Sequence, residues 1–348
     1  MTQFRTLIDA LLAAPPERPF ITLWVDEDEQ ETVAFGEFRS RVASQAALLR
    51  KHQISVGDRV VIIMPQSIDS MAVFAGALML GAVPAFLAYP NFKVEPAKYR
   101  SGLAGVTQNL TAKAVVIDDD FPDDLLGHVA LDGNGRLIRA GTPAHMDPHP
   151  ICPAAVTSDS IAFIQHSAGT TGLQKGVALT HGAVLTQLHH LAMALQVDPA
   201  SDRIYSWLPL YHDMGLIACF MLPLVSHIPV IMQSHLDWVM HPETMLQAIT
   251  EHRCTLAWMP NFAFQFVPRR VRRNSWSQCD LSSLRALINC SEPVRASSMD
   301  EFCRTFSPIG LKASALHSSY AMAENVFAVT QSCVNGASGP TRVWVDAQ

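Results

Sequence analysis

DRVVIIMPQSIDSMAVFAGALMLGAVPAFLAY, residues 58–89, changes its periodicity twice within one short span. DRVVIIM (58–64) is β-branched and continuously apolar, which predicts a buried strand. Residues 69–80 predict a helix, and VPAFLAY (83–89) predicts the next strand. KAVVI (113–117) follows another helical pattern. Strands that alternate with helices in this way imply a mostly parallel sheet covered by helices. The uncharged run 71–89 is also long enough to raise a membrane span. Gly81 and Pro84 break it, however, and no Lys or Arg cluster flanks it. The reading is therefore a buried helix followed by a buried strand, with no membrane span.

From residue 118 to 160 the texture changes to DDDFPDD, DGNG and GTPAHMDPHP. Acidic residues, Pro and Gly mark a connection between two lobes. The division expected is a first α/β lobe over 1–155, a second over 156–333, and a tail over 334–348. The second lobe repeats the first: Asp58-Arg59, Pro65 and Asp69 recur at one offset as Asp202-Arg203, Pro209 and Asp213. An apolar helix and a Pro-containing strand follow in each copy, which suggests two similar α/β lobes. A cleft between such lobes is a natural ligand site.

At 348 residues and almost half apolar, the chain has material for two cores. A net charge of −6 argues against a general nucleic-acid binder. Seven cysteines, scattered and never spaced CxxC, fit a reducing, cytoplasmic setting and offer no zinc site. The N-terminal MTQFRTLIDALLAAPPERPF carries Asp9 inside its apolar run and reads as a short helix, not a secretory signal.

Four stretches carry chemistry-bearing residues. HSAGTTGLQKG (166–176) lies between two strand patterns, IAFIQ and GVALT. Its glycines free backbone N–H groups to converge on an anion, Ser167, Thr170 and Thr171 add donors, and Lys175 adds charge. A plain surface turn has the same composition, and the Lys position is not that of a Walker loop. SWLPLYHDMGL (206–216) sets His212 beside Asp213, either as functional groups or as the capped start of a helix. ALINCSEPV (286–294) places Asn289, Ser291 and Glu292 after a strand, with Pro293 expected at an early helical position. In HSSYAMAENV (317–326), Tyr320 and Glu324 would share a face on a helical turn. RRVRR (269–273) reads either as a phosphate patch for a CoA or carrier-protein partner or as a solvated helix end.

The series SAGTTGLQKG, LPLYHDMGLI, PNFAF, NCSEPV and YAMAE resembles the AMP-forming acyl-adenylate family, and within it the fatty acyl-AMP ligase branch with its acyl-CoA synthetase relatives. The resemblance covers residues 35–331. It implies ATP-dependent activation of a fatty or other carboxylic acid to an acyl-adenylate with release of pyrophosphate. CoA or the phosphopantetheine thiol of an acyl carrier protein would then accept the acyl group. Ser167, Gly169, Thr170, Thr171, Gly172 and Lys175 would hold the β- and γ-phosphates. Tyr320 would stack on adenine, and Ser291, Glu292, Pro293, Ala321, Met322 and Ala323 would line its pocket. Glu324, with Thr170, would hold Mg²⁺, and His212 would orient the reacting carboxylate. Trp207, Trp258, Met259, Asn261 and Phe262 would border the acyl pocket, where large side chains imply short, medium-length or otherwise unusual acids.

Three departures qualify the resemblance. Ser167-Ala168-Gly169 stands where the family has Thr-Ser-Gly, Gln174 stands in place of Pro, and Ala321 replaces the commoner Gly. Nothing after YAMAE resembles the family's ribose-gripping aspartate, hinge or C-terminal lysine. The expectation is an N-terminal domain without its C-terminal adenylation subdomain, which binds nucleotide but catalyses poorly alone. Two rival readings stay open: an amino-acid-activating adenylation domain, and a nucleotide-binding remnant without catalysis.

Overall fold

The chain lays down two short strands before its first long helix, β1 (Pro19–Trp24) and β2 (Gln30–Ala34). In this computed structural model the residues described are 4–25, 29–90, 95–131, 135–141, 152–166 and 176–334. They form two compact units that exchange segments along the chain. Unit 1 is 1–20, 33–186 and 209–216; unit 2 is 21–32, 187–208 and 217–348.

In unit 1, β3 (Arg59–Ile63), β4 (Val83–Phe86), β5 (Ala114–Ile117) and β6 (Arg136–Arg139) form a parallel sheet ordered β4-β3-β5-β6. β4 and β5 are buried along their whole length, and β3 along all but Arg59. That is why they read as unbroken apolar runs. Val61, Ile63, Val115 and Ile117 share one packed cluster with Leu103 and Phe121. The helix Ile68–Met79 begins one residue before the predicted Asp69, because Ser67 caps it. Ser67 Oγ accepts the Ser70 N–H at 3.1 Å and Ser70 Oγ accepts the Ser67 N–H at 3.1 Å, a reciprocal cap. Gly76 faces the helix Phe35–Lys51 so closely that a Cβ there would lie 2.9 Å from the Ala46 nitrogen. Gly81, at φ +70°, turns the chain out of the helix and into β4. Run 71–89 is therefore split as predicted. No helix among the described residues is long and apolar enough to cross a membrane.

The 118–160 segment differs from the plain connection expected. β6 lies within it and pairs in parallel with β5, Ala114 opposite Arg136. RLIR buries only Ile138, so as an edge strand it carries too little apolar signal to be read beside its Pro- and Gly-rich flanks. β7 (Ile161–His166) and β8 (Gly176–Thr180) are strands, as their patterns predicted, and they pair antiparallel.

Unit 2 is built on an eight-stranded sheet. β9 (Ile204–Ser206), β10 (Val230–Met232), β11 (Leu256–Pro260), β12 (Ala286–Cys290), β13 (Leu316–Ala321) and β14 (Ala328–Gln331) join β1 and β2 in the order β14-β13-β12-β11-β9-β10-β1-β2. β13, β12, β11, β9, β10 and β1 run parallel in that row, and β14 returns antiparallel on β13. The sequence repeat has a structural counterpart. β3 and β4 pair in parallel across a helix, and so do β9 and β10. The repeated aspartates both organise the turn into their strand: Asp58 Oδ2 accepts the Ser55 N–H, and Asp202 Oδ2 accepts the Asp198 N–H.

Asp202 also anchors a buried network. The Arg285 guanidinium meets both its carboxylate oxygens, Thr255 Oγ1 donates to it at 2.7 Å, and Arg285 Nη1 donates to the Leu195 carbonyl at 2.6 Å. The Asp202 side chain is 1% exposed, so removing its partner leaves a charge without water. Arg285→Ala is expected to lower the unfolding free energy by about 3 kcal/mol in urea titration. A change below about 1 kcal/mol would count against the network's importance.

In unit 1, buried His181 accepts the Leu7 N–H on Nδ1 at 3.3 Å. Burial pushes its pKa down to about 4, against an upward pull from Asp9. An unfolded histidine titrates near 6.5, so between about 6.5 and 4 the unfolded chain holds a proton that the fold refuses. Stability should thus be level above about pH 6.5 and fall as pH drops toward 4. His181→Gln should flatten that slope in pH-dependent thermal melts; an unchanged slope would contradict the assignment.

Candidate functional site

Because β9, β11, β12 and β13 are parallel neighbours, their carboxyl ends lie along one edge of the sheet. Open α/β sheets place ligands outside such an edge. Trp207 follows the last residue of β9, Asn261 and Phe262 follow β11, Ser291 and Glu292 follow β12, and Tyr320 stands near the end of β13.

The β9 end is aromatic. Trp207 stacks on Trp238, from the helix His235–Met240, with ring centroids 3.6 Å apart and planes 2° apart. Phe262 meets the Trp207 and Trp238 rings edge-on at 6.3 and 6.2 Å, and Phe266 stands 5.5 Å from Trp238. Trp207 and Trp238 are buried, whereas Phe262 is 47% exposed and gives the cluster an open side. Trp258 and Met259 are buried neighbours on β11. Alternation along a strand sends them to opposite faces of the sheet.

The middle of the edge is polar and tightly held. Asn261 Oδ1 accepts Asn289 Nδ2 at 3.0 Å and the Arg295 N–H at 2.9 Å. Glu292 Oε1 accepts the Phe262 N–H. Ser291 sits at φ +76°, a conformation that L residues rarely adopt. Pro293 lies in the turn and outside the helix Ala296–Phe306, because the chain first bends at Ser291 to present Glu292 to Phe262.

At the β13 end, Tyr320 is 57% exposed. The pairing with β14 shifts register between Tyr320 and Ala321, a bulge of the kind that re-aims a side chain. Glu324 is exposed on the short 3₁₀ turn Ala323–Asn325. The two residues thus sit on a strand end and a separate turn, not on one helical face, because β13 continues through Ala321. Among the described residues neither side chain is held in a hydrogen bond, which leaves a ring face and a carboxylate open to a ligand. Met322 and Ala323 follow in the same turn.

His212 belongs to unit 1, at the start of the π-helix Met214–Met221. Its Nδ1 stands 2.7 Å from Asp213 Oδ1, which also accepts the Met214 N–H at 2.7 Å. The Met214 N–H also reaches His212 Nδ1, at 3.3 Å, so the ring is fixed through that nitrogen. Asp213 thus bonds the N–H of the residue next to it, with the His212 imidazole beside its carboxylate.

Ser167, Gly169, Thr170, Thr171, Gly172 and Lys175 lie outside the described residues. The strand that leads to them ends on His166, a buried residue whose two ring nitrogens find no hydrogen-bond partner among the described residues. Burial pushes its pKa down to about 4. Among the described residues, no group of three or more His, Cys, Asp or Glu is placed to hold a metal ion. In the basic run, Arg269 pairs with Glu301 through two 3.0 Å contacts at the end of the helix Ala263–Arg270, which favours the solvated-helix reading there.

Sequence reasoning missed Trp238, Phe266, His166 and the Asn261–Asn289 pair. Trp238 was findable in principle, since it follows β10, a strand parallel to β9. The carboxamide pair depends on the β11–β12 register, Met259 opposite Asn289, which no local pattern encodes.

The profile of the AMP-binding enzyme family matches residues 9–344, and the chain belongs to that family. The medium-chain-fatty-acid–[acyl-carrier-protein] ligase JamA of Moorena producens is 29% identical over 342 residues, covering 94% of this chain and 56% of the relative. A 4-hydroxyphenylalkanoate adenylyltransferase of Mycobacterium tuberculosis is 27% identical over 300 residues, covering 84% of this chain and 48% of the relative. A fatty acyl-adenylate ligase from L. pneumophila, solved in complex with acyl adenylate and pyrophosphate, superposes with a TM-score of 0.83 at 25% identity. That match covers 95% of this chain and 58% of the other. The chain spans about half the length of the curated relatives it matches.

Replacing Asn261 by Ala strands the buried Asn289 amide and the Arg295 N–H. A loss of about 1–3 kcal/mol is expected in thermal or urea unfolding. The Asn261→Ala/Asn289→Ala double variant should lose less than the sum of the two single losses. Strict additivity would show that the two carboxamides do not interact.

Proposed function

We propose that the chain binds ATP and a carboxylic acid and supports formation of an acyl-adenylate. The observation that carries this reading is the graded edge of the unit 2 sheet. An aromatic cluster lies after β9 and β11, a polar turn after β12, and an open tyrosine and carboxylate at β13. Three interstrand steps of about 4.8 Å span about 15 Å, a length suited to an acyl-adenylate laid across the strand ends.

In the proposed reaction a carboxylate oxygen of the acid attacks the α-phosphorus of ATP. The bond from that phosphorus to the bridging oxygen breaks, and pyrophosphate leaves with the electron pair. Tyr320 offers its ring face to adenine, and the Ser291–Glu292–Pro293 turn with Ala321, Met322 and Ala323 borders the base. His212, held beside Asp213, orients the acid's carboxylate. Ser167, Thr170, Thr171 and Lys175, with the backbone of Gly169 and Gly172, take the terminal phosphates. Mg²⁺ would supply charge neutralisation on those phosphates. Glu324, an exposed hard-oxygen donor without a hydrogen bond of its own among the described residues, suits a cation that keeps most of its ligands as water and phosphate. Thr170 is its proposed partner. The acyl group then passes to the thiol of CoA or of a carrier protein's phosphopantetheine.

The acid is proposed to be fatty or arylalkanoic. The relatives named above carry both kinds of substrate in their names, and the open ring of Phe262 suits either. A cytoplasmic setting is proposed with it; the seven cysteines form no disulfide among the described residues.

Tyr320→Ala tests the base contact. Loss of a stacking partner costs about 1–3 kcal/mol, so the Kd for Mg-ATP should rise about 5- to 150-fold in calorimetric titration. Unchanged affinity would remove Tyr320 from the site. ATP–pyrophosphate exchange with fatty, arylalkanoic and amino acids then separates acid activation from the amino-acid alternative.

A further inference from the structure

We propose that Glu292 is a positioning residue that couples the nucleotide to acid selection through the backbone of Phe262. The inference rests on the acyl-adenylate reading and deepens it at the same site.

The turns after β11 and β12 are joined residue by residue. Asn261 Oδ1 takes Asn289 Nδ2 and the Arg295 N–H, and Glu292 Oε1 takes the Phe262 N–H. Phe262 is also the N-cap residue of the helix Ala263–Arg270, which has no side-chain cap of its own. A carboxylate from the neighbouring strand thus satisfies an N–H that the helix would otherwise leave without a partner. The clasp is therefore part of how the helix begins and how the Phe262 backbone is placed.

Phe262 is also the open member of the aromatic cluster. Its ring stands at 73° to both members of the Trp207–Trp238 stack. Those two indoles are packed face to face and buried, so they have little room to adjust. Phe262, 47% exposed, can change angle with its backbone. Glu292 lies on the turn proposed to border adenine, directly after the left-handed Ser291. A base settling on that turn shifts Glu292, Glu292 moves the Phe262 N–H, and the ring changes its angle over the stack. The shape offered to the acid then depends on whether nucleotide is bound.

A helix cap with no part in selection predicts a uniform loss of activity. Coupling predicts a loss that depends on the acid. The test is ATP–pyrophosphate exchange by the full chain across straight-chain acids from acetate to palmitate and phenylalkanoates of two lengths. The variants are Glu292→Ala, Glu292→Gln, Phe262→Ala and the Glu292→Ala/Phe262→Ala double.

Glu292→Ala should change the ratio of kcat/KM between the best and poorest acids by about tenfold. Phe262→Ala should change it similarly, and the double variant should add nothing further. Glu292→Gln, which keeps an acceptor oxygen at the same reach, should hold the wild-type ratio. A common factor of loss for every acid overturns the proposal, as does full additivity in the double variant.

A readout without turnover accompanies the kinetics. With 4-fluorophenylalanine at position 262, saturating Mg-ATP should shift the ¹⁹F resonance both in the otherwise wild-type chain and in the Glu292→Gln variant. In Glu292→Ala it should leave the resonance unmoved. An unmoved resonance in the otherwise wild-type chain with nucleotide bound overturns the coupling while sparing the acyl-adenylate reading. Failure of the chain to bind nucleotide removes that reading, and the coupling with it.

Discussion

Parallel pairing of β9, β11, β12 and β13 is the constraint on which the rest depends. Parallel strands must leave the sheet at the same edge, so each following turn delivers its first residues to one line. The chain uses that line to sort chemistry. A tryptophan follows β9, an amide and a carboxylate follow the next two strands, and a tyrosine stands near the end of the last. No turn is long, and none builds a site alone. The register of the sheet brings them into order, and the buried Arg285–Asp202 network ties β12 to the turn that leads into β9.

Much of this was legible because parallel strands buried on both faces read as continuous apolar runs. VVII and AVVI announced β3 and β5, and IAFIQ and GVALT announced the strands on either side of the glycine-rich segment. The repeat of Asp58 at Asp202 pointed to real local structure, since both carboxylates hold the turn that begins their strand. Where reading failed, long-range packing outweighed local pattern. RLIR looked like linker because an edge strand needs one buried side chain, not four. Pro293 suggested a helix start, yet the left-handed Ser291 and the pull of Phe262 on Glu292 delay the helix to Ala296. Tyr320 and Glu324 have helical spacing but sit on a strand end and a separate turn.

The candidate site divides the same way. Motif wording alone brings out Tyr320, Glu292, Glu324 and His212. It does not show that Asn261 and Asn289 grip each other, nor that Trp238 lies flat on Trp207, since these contacts join residues 28 or more apart in the chain.

The most direct measurement is the affinity of the chain for a non-hydrolysable acyl-sulfamoyl-adenosine compared with AMP and with the free acid. One continuous ligand line predicts that the conjugate binds tighter than either piece by orders of magnitude, because a single molecule then engages both the aromatic and the tyrosine ends of the edge. Binding no tighter than AMP alone would mean that acid and nucleotide do not share this edge, and the account would fail.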